Sequence, residues 1–258
     1  MFAVKKYGTV EDVESITEAS LYEAYLNTLK SCKIEIYVTG ECEIDKVSAI
    51  FDAYISELER DVKLPRKYPI VRTAAEIKRV DEVQDINQGK LCIGFRIGCN
   101  VDDENFYIAR LFSEIFGSGD VSKLFMNVRE KMSLCYSIDS VLFQRIGILM
   151  VTAGIEFENK EIAEKAIFDQ LEAMRSGDIT EDEFLSAKRS LCNVFMQVYD
   201  SPRAMEKWTL NRTFSNSSLT PMEECAKIED ATIDEVVKFA NSITLDTVYF
   251  LKGENADG

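Results

Sequence analysis

Apolar residues recur along this chain with two periods, one near 3.6 residues and one of 2, and their alternation predicts a mixed α and β protein. Leu21, Tyr22, Tyr25, Leu26 and Leu29 fall on one helical stripe, opened by Thr17 with Glu18 behind it; Thr9, followed by Glu11 and Asp12, opens a shorter helix upstream. Residues 33–40 alternate as a strand, and residues 44–58 return to the helical period with Val47, Ile50, Phe51, Tyr54 and Ile55 inward. Residues 59–77 hold Pro65 and Pro69 among charges with no sustained period, and read as a linker.

Beyond the linker, residues 78–83 and 90–98 read as paired strands. Asp102 and Asp103 are placed to cap a helix burying Phe106, Ile108, Leu111, Phe112, Ile115 and Phe116, which Gly117-Ser118-Gly119 breaks. Val121, Leu124, Phe125 and Val128 form the stripe of a helix over 121–131, which runs almost directly into a β-prone segment from Leu134. A second strand follows over 147–157, then helices over 159–175 and 180–198, separated by Gly177-Asp178. Ser201-Pro202 and Pro221 start two more helices, Thr232 caps another over 233–241, and residues 245–252 close the chain as a strand. The helix and strand running from Ile16 to Gly40 parallel those running from Thr232 to Gly253, a weak internal repeat. It predicts that residues 1–58 are the closing part of a first domain, 59–77 a linker, and 78–258 a second domain of the same type.

Composition removes several function classes. Lys and Arg number 30 against 45 Asp and Glu, a net charge of -15, which repels phosphate backbones and disfavours nucleic acid as a partner. No apolar run approaches the roughly 18 residues of a membrane span, and no charged-then-apolar amino-terminal signal is visible, so a cytoplasmic protein without a membrane partner is expected. The seven cysteines are dispersed and read as buried reduced thiols. The chain has no histidine, which excludes histidine-ligated metals and Ser-His-Asp triads, and no Cys-x2-Cys pair is present. No catalytic residue and no metal ligand is therefore expected here. Acidic runs at Asp102-Asp103-Glu104 and Glu181-Asp182-Glu183 sit at helix starts, where capping explains them better than a cation does, and Gly117-Ser118-Gly119 lacks the lysine of a phosphate loop.

Arg129, at a helix end, and Tyr136, near a strand start, are the candidate site residues. Pattern alone also reads Arg129 as a helix-end arginine covering a carbonyl or pairing with Glu130 or another acid, and Tyr136 as a core tyrosine with its hydroxyl on backbone. The elements 122–125, 128–131 and 134–137, with Gly147, Gly154, the strand from Gln88 and the helix from Asp200 to Trp208, resemble the second domain of the M16 (pitrilysin-like) zinc metallopeptidases. Within that family the chain looks most like bacterial members without a zinc motif, of the type associated with modification of elongation factor P; its 249–254 segment resembles theirs. The resemblance implies an α+β fold of the LuxS/MPP-like metallohydrolase type, a mostly antiparallel sheet with helices on one face. It implies a non-catalytic wall of a peptide-enclosing chamber, with Arg129 and Tyr136 contacting peptide. Zinc would then be held by a separate M16 partner, or by a domain this sequence does not contain, and a homo-oligomer is a further possible assembly. The alternative is a structural or interaction subunit with no peptidase role.

Overall fold

A computed structural model describes residues 7–63, 70–215 and 217–254. Contacts divide the chain into two units, Met1–Tyr68 and Pro69–Gly258; Pro65 and Pro69 of the expected linker lie outside the described residues.

Unit 1 holds helices α1 (Val10–Glu14), α2 (Glu18–Ser31) and α3 (Ile44–Ile55). Thr9 and Thr17 accept from the backbone of Asp12 and Ser20, so the capping residues read from sequence do cap. The burial expectation fails. Leu21, Tyr22, Tyr25, Ile50, Phe51 and Tyr54 are exposed, Leu26, Leu29, Val47 and Ile55 only half-buried, and no described residue of the unit is buried. Residues 33–40 form no strand, and the unit offers no other strand to pair with them among its described residues. A two-residue alternation becomes a strand only where a neighbour takes its backbone hydrogen bonds. The internal repeat therefore survives in its helix and not in its strand.

Unit 2 is built on a five-stranded sheet of β1 (Lys78–Gln84), β2 (Gly89–Arg96), β3 (Ser137–Phe143), β4 (Ile148–Ile155) and β5 (Thr244–Gly253), in the spatial order β1-β5-β2-β4-β3. All neighbours are antiparallel except β1 and β5. The expected β1–β2 pairing is wrong, because the last strand of the chain inserts between them, Lys90 facing Leu251 and Lys78 facing Thr247. Alternate residues Leu91, Ile93, Phe95, Leu149, Val151, Val248 and Phe250 point to one face and are buried. Against that face pack α4 (Phe106–Ser113), α5 (Lys160–Ser176) and α9 (Ile233–Ser242), through Phe112, Ile167, Met174, Val236 and Ala240 among others. The fold is the expected α+β arrangement with helices on one face of a mostly antiparallel sheet.

The other helices begin where their caps predict. Thr180, Thr220 and Thr232 make reciprocal capping boxes with Glu183, Glu223 and Glu235, opening α6 (Glu181–Met196), α8 (Pro221–Asp230) and α9. Ser201 accepts from Ala204 N at the start of α7 (Pro202–Thr213). Asp103 behaves differently from expectation. Its carboxylate accepts from Asn100 N at 2.8 Å, shaping the turn ahead of α4, whose cap position is Asn105. Glu183 does more than cap: it also accepts from the buried Lys123 ammonium at 3.0 and 3.1 Å, which ties α6 to the segment carrying the candidate site. The dispersed cysteines are not all free thiols either. Cys192 of α6 and Cys225 of α8 are joined as a disulfide, while Cys32, Cys42, Cys92, Cys99 and Cys135 are free.

Candidate functional site

The helix leading to Arg129 is a π-helix over Leu124–Lys131. Met132 N donates to Asn127 O at 3.1 Å, five residues back, and Leu134 N to Val128 O at 3.2 Å. Leu124 and Val128 anchor it in the core, whereas Val121 lies in the preceding turn and is exposed, so the expected stripe is shorter than the sequence suggests. Gly117 makes the close packing possible. A Cβ there would stand 2.7 Å from Leu124 Cδ1 and 2.9 Å from Ser140 Cβ. Ser133 then adopts φ 53°, in the left-handed region, and turns the chain back toward the sheet. Tyr136 N donates to Gly154 O at 2.8 Å, latching the start of β3 to β4. Wide helical turns and left-handed non-glycine residues are both enriched at functional sites.

This geometry brings the two candidate residues to one open cleft of about 460 Å³, shared with Ser133, Cys135, Glu156 and Asn159. The Tyr136 side chain is not a core tyrosine, since the residue is 59% exposed. Its hydroxyl donates to the carboxylate of Glu156, not to backbone. The Arg129 guanidinium lies 4.7 Å from the centre of the Phe125 ring and 3.7 Å from Glu130 Oε1, so the pairing with Glu130 read from pattern is present as a loose contact. Lys131 is not part of that pair; its ammonium donates to Asn127 Oδ1 at 2.8 Å.

Glu156 is the residue sequence reasoning missed. It lies just past β4, and only the β3–β4 register, Ser137 opposite Gly154, carries it to Tyr136. Chemically the cleft offers a planar guanidinium fork, a phenol and a carboxylate. The phenol has one proton, which is engaged on Glu156. Tyr136 donates to a peptide carbonyl only if that bond is exchanged for the new one.

Cys135, at the cleft floor, is buried, and burial pushes its thiol up to about 11 against the opposing pull of Arg129. An ordinary cysteine titrates near 8.5. The folded state holds this proton more tightly than the unfolded one, so the contribution of Cys135 is complete below about pH 8.5 and is lost as pH rises toward 11. Thermal unfolding of Cys135→Ala is expected to depend less steeply on pH than the wild type across that window; parallel curves would show that the thiol does not titrate this way.

The residues do not fit a hydrolytic zinc. The chain has no histidine. Among the described residues, the group with metal-ligand geometry is Cys192, Cys225 and Glu229, whose two sulfurs are bonded to each other and which does not border the cleft. The proximity of the two sulfurs, 33 residues apart in sequence, carried no local signal.

A family model described as "Peptidase M16 inactive domain" matches residues 15–191. The chain belongs to the M16 inactive-domain family. A probable inactive metalloprotease of Bacillus subtilis, YmfF, is 31% identical over 252 residues, covering 98% of this chain and 59% of that protein. An uncharacterized zinc protease of Rickettsia felis is 26% identical over 242 residues, covering 92% of this chain and 57% of that protein. Among solved structures, a conserved protein from Enterococcus faecalis superposes with TM-score 0.87 at 27% identity, covering 97% of this chain and 59% of that one. A peptidase M16 inactive domain from Pseudomonas fluorescens has TM-score 0.75 at 18% identity, covers 98% of this chain and 62% of that one, and shares the fold. This M16 chain spans about six-tenths of the length of the curated relatives it matches. Among its described residues no helix is long and apolar enough to cross a membrane.

Proposed function

We propose that this chain is the non-catalytic wall of a peptide-enclosing chamber. In this reading Arg129 and Tyr136 hold a peptide, while zinc is supplied by a separate M16 chain or by a domain outside this sequence. One observation carries the reading: both side chains border the same open cleft instead of being spent inside the core. The guanidinium fork suits a peptide carbonyl, and the phenol, once released from Glu156, suits an oxygen that gains charge as an amide is attacked. The exposed apolar faces of α2 and α3 support reading residues 1–58 as the closing part of a first domain of the same type. They equally favour a second reading, an interaction subunit with no peptidase role.

Metal analysis of the isolated chain is expected to find well below one zinc per chain, and the chain alone to cleave no peptide. Mixed with a zinc-bearing M16 chain that copurifies with it, cleavage should appear. Arg129→Ala and Tyr136→Phe should each reduce that cleavage by roughly 10- to 100-fold, the value of one strong hydrogen bond, with thermal unfolding unchanged. A tightly held zinc in this chain, or full cleavage by both variants, overturns the chamber reading; cleavage indifferent to both variants favours the interaction subunit.

A further inference from the structure

A second groove lies in unit 2, running along β3 from Asp139 to Leu142 and on to Gln144. It has a volume of about 740 Å³ and is bordered by β3, the end of α6 and α7. β3 is the last strand in the sheet order, so one of its edges pairs with no other strand among the described residues. The wall opposite is apolar. Phe195 and Trp208 meet edge to face at 5.7 Å, and Val194 is 58% exposed on the same side.

The chemistry changes where β3 ends. Arg110 and Arg212 both border the groove, while the carboxylate they share, Glu224, does not. Arg110 Nη1 is 3.0 Å from Glu224 Oε2 and Arg212 Nη2 is 2.9 Å from Glu224 Oε1. Arg110 also reaches Gln144 Oε1 at 3.3 Å, which fixes this end of the groove beside the residue following β3. Two largely buried guanidiniums share one carboxylate, leaving one positive charge unmatched. Burial lowers the Arg110 pKa, and Arg212 adds to that effect against the pull of Glu224. Arg212 Nε is buried and has no hydrogen-bond partner among the described residues. A buried N–H without an acceptor beside an uncompensated charge is a rare and costly arrangement, and an anion entering the groove supplies the missing negative charge. Next to the lining residues Gln144 and Ser215, the β3–β4 turn is tied to the end of α7. Arg145, in that turn, donates to Phe214 O at 3.1 Å and lies 5.0 Å from the centre of its ring.

We propose that the groove receives the C-terminal end of an extended polypeptide, with its free carboxylate held by Arg110 and Arg212 and its backbone beside the open edge of β3. A carboxylate matches the guanidinium fork. The Arg145–Phe214 tie stands in the way of a chain running on past the two guanidiniums, which favours a terminus over an internal acidic residue. The unpaired strand edge supplies backbone donors and acceptors that a fatty acid has no groups to meet, which selects a peptide. The site is separate from the Arg129–Tyr136 cleft and stands whether or not that cleft serves a zinc peptidase.

The test uses the 258-residue chain and a pool of fluorescein-labelled random decapeptides, made once with free C-terminal carboxylates and once as C-terminal amides. The free acids are expected to bind, enriched in apolar side chains near the terminus, and the amides to bind at least about tenfold more weakly. Arg212→Gln leaves Arg110 and Glu224 as a matched pair; it should weaken acid binding about tenfold and leave amide binding unchanged. Val194→Glu, at an exposed helical position, should abolish binding of both pools while leaving thermal unfolding intact. Equal binding of acid and amide, indifference to Val194→Glu, absence of binding by the free acids, or selection of oleate in preference to every peptide each overturns the proposal.

Discussion

Glu224→Ala is expected to cost unit 2 about 3–5 kcal/mol, because it strips the shared carboxylate from two buried guanidiniums. Glu224 is 5% exposed and is held by Arg110 and Arg212 on separate oxygens. Without it, two like charges face each other with their side chains largely buried, and only Arg110 keeps a side-chain acceptor, Gln144 Oε1. The asymmetry of buried ion pairs sets the size of the effect: losing the lone partner is far worse than losing one of two. Arg212→Gln should therefore cost much less, since Arg110 and Glu224 remain paired. Glu224→Gln should fall between, keeping the shape and one acceptor oxygen. The chain has a single tryptophan, Trp208, in van der Waals range of Phe195 within unit 2, so urea unfolding followed by its fluorescence reports on this unit specifically. A loss below about 1 kcal/mol for Glu224→Ala would mean that the guanidiniums are hydrated and the cluster is not a buried one.

Phe112→Ala is expected to destabilise by a similar amount for a different reason. Phe112 is 1% exposed, stacks on Phe116 with ring centres 5.3 Å apart, and meets Phe239 of α9 edge on at 5.4 Å. It joins α4 to the helix that precedes β5, the strand inserted between β1 and β2. Truncation removes the transfer free energy of the ring and leaves a cavity that rigid neighbours on three sides fill only in part, a cost of about 3–5 kcal/mol. In a unit of this size that corresponds to a melting temperature lower by roughly 6–20 °C. Phe112→Leu, which restores most of the volume, should recover more than half of the loss. The urea midpoint should fall with its slope unchanged; a changed slope would instead indicate that the sheet and helices no longer unfold together.

The two halves of the chain were legible to different degrees. In unit 2 the capping threonines, the prolines at Pro202 and Pro221 and the glycine at Gly177 marked helix ends to within a residue or two, because caps and backbone preferences act within one turn. The same local rules succeeded for the helices of unit 1 and failed for its burial. Periodicity says which face of a helix is apolar; it does not say whether anything covers that face. Leu21, Tyr22 and Tyr25 form the stripe the sequence describes, and stand in solvent. The cleft was half legible. Arg129 and Tyr136 are seven residues apart, one helix end and one strand start, so a short-range reading brought them together. Glu156 required the register of β3 against β4.

The sequence by itself therefore determined most of the elements and caps, the absence of histidine chemistry and the nearness of Arg129 to Tyr136, since each depends on residues within a turn or two of one another or on composition alone. The tertiary structure alone decided that β5 lies between β1 and β2, that Lys123 meets Glu183, that Cys192 meets Cys225, and that Arg110 and Arg212 share Glu224 at the end of a groove. Hydrogen-bonding and ionic partners carry no mark of sequence distance. Which of many equivalent acids, thiols or strand edges is chosen depends on how the packed layers place them, and that placement minimises the free energy of the whole unit, not of any segment.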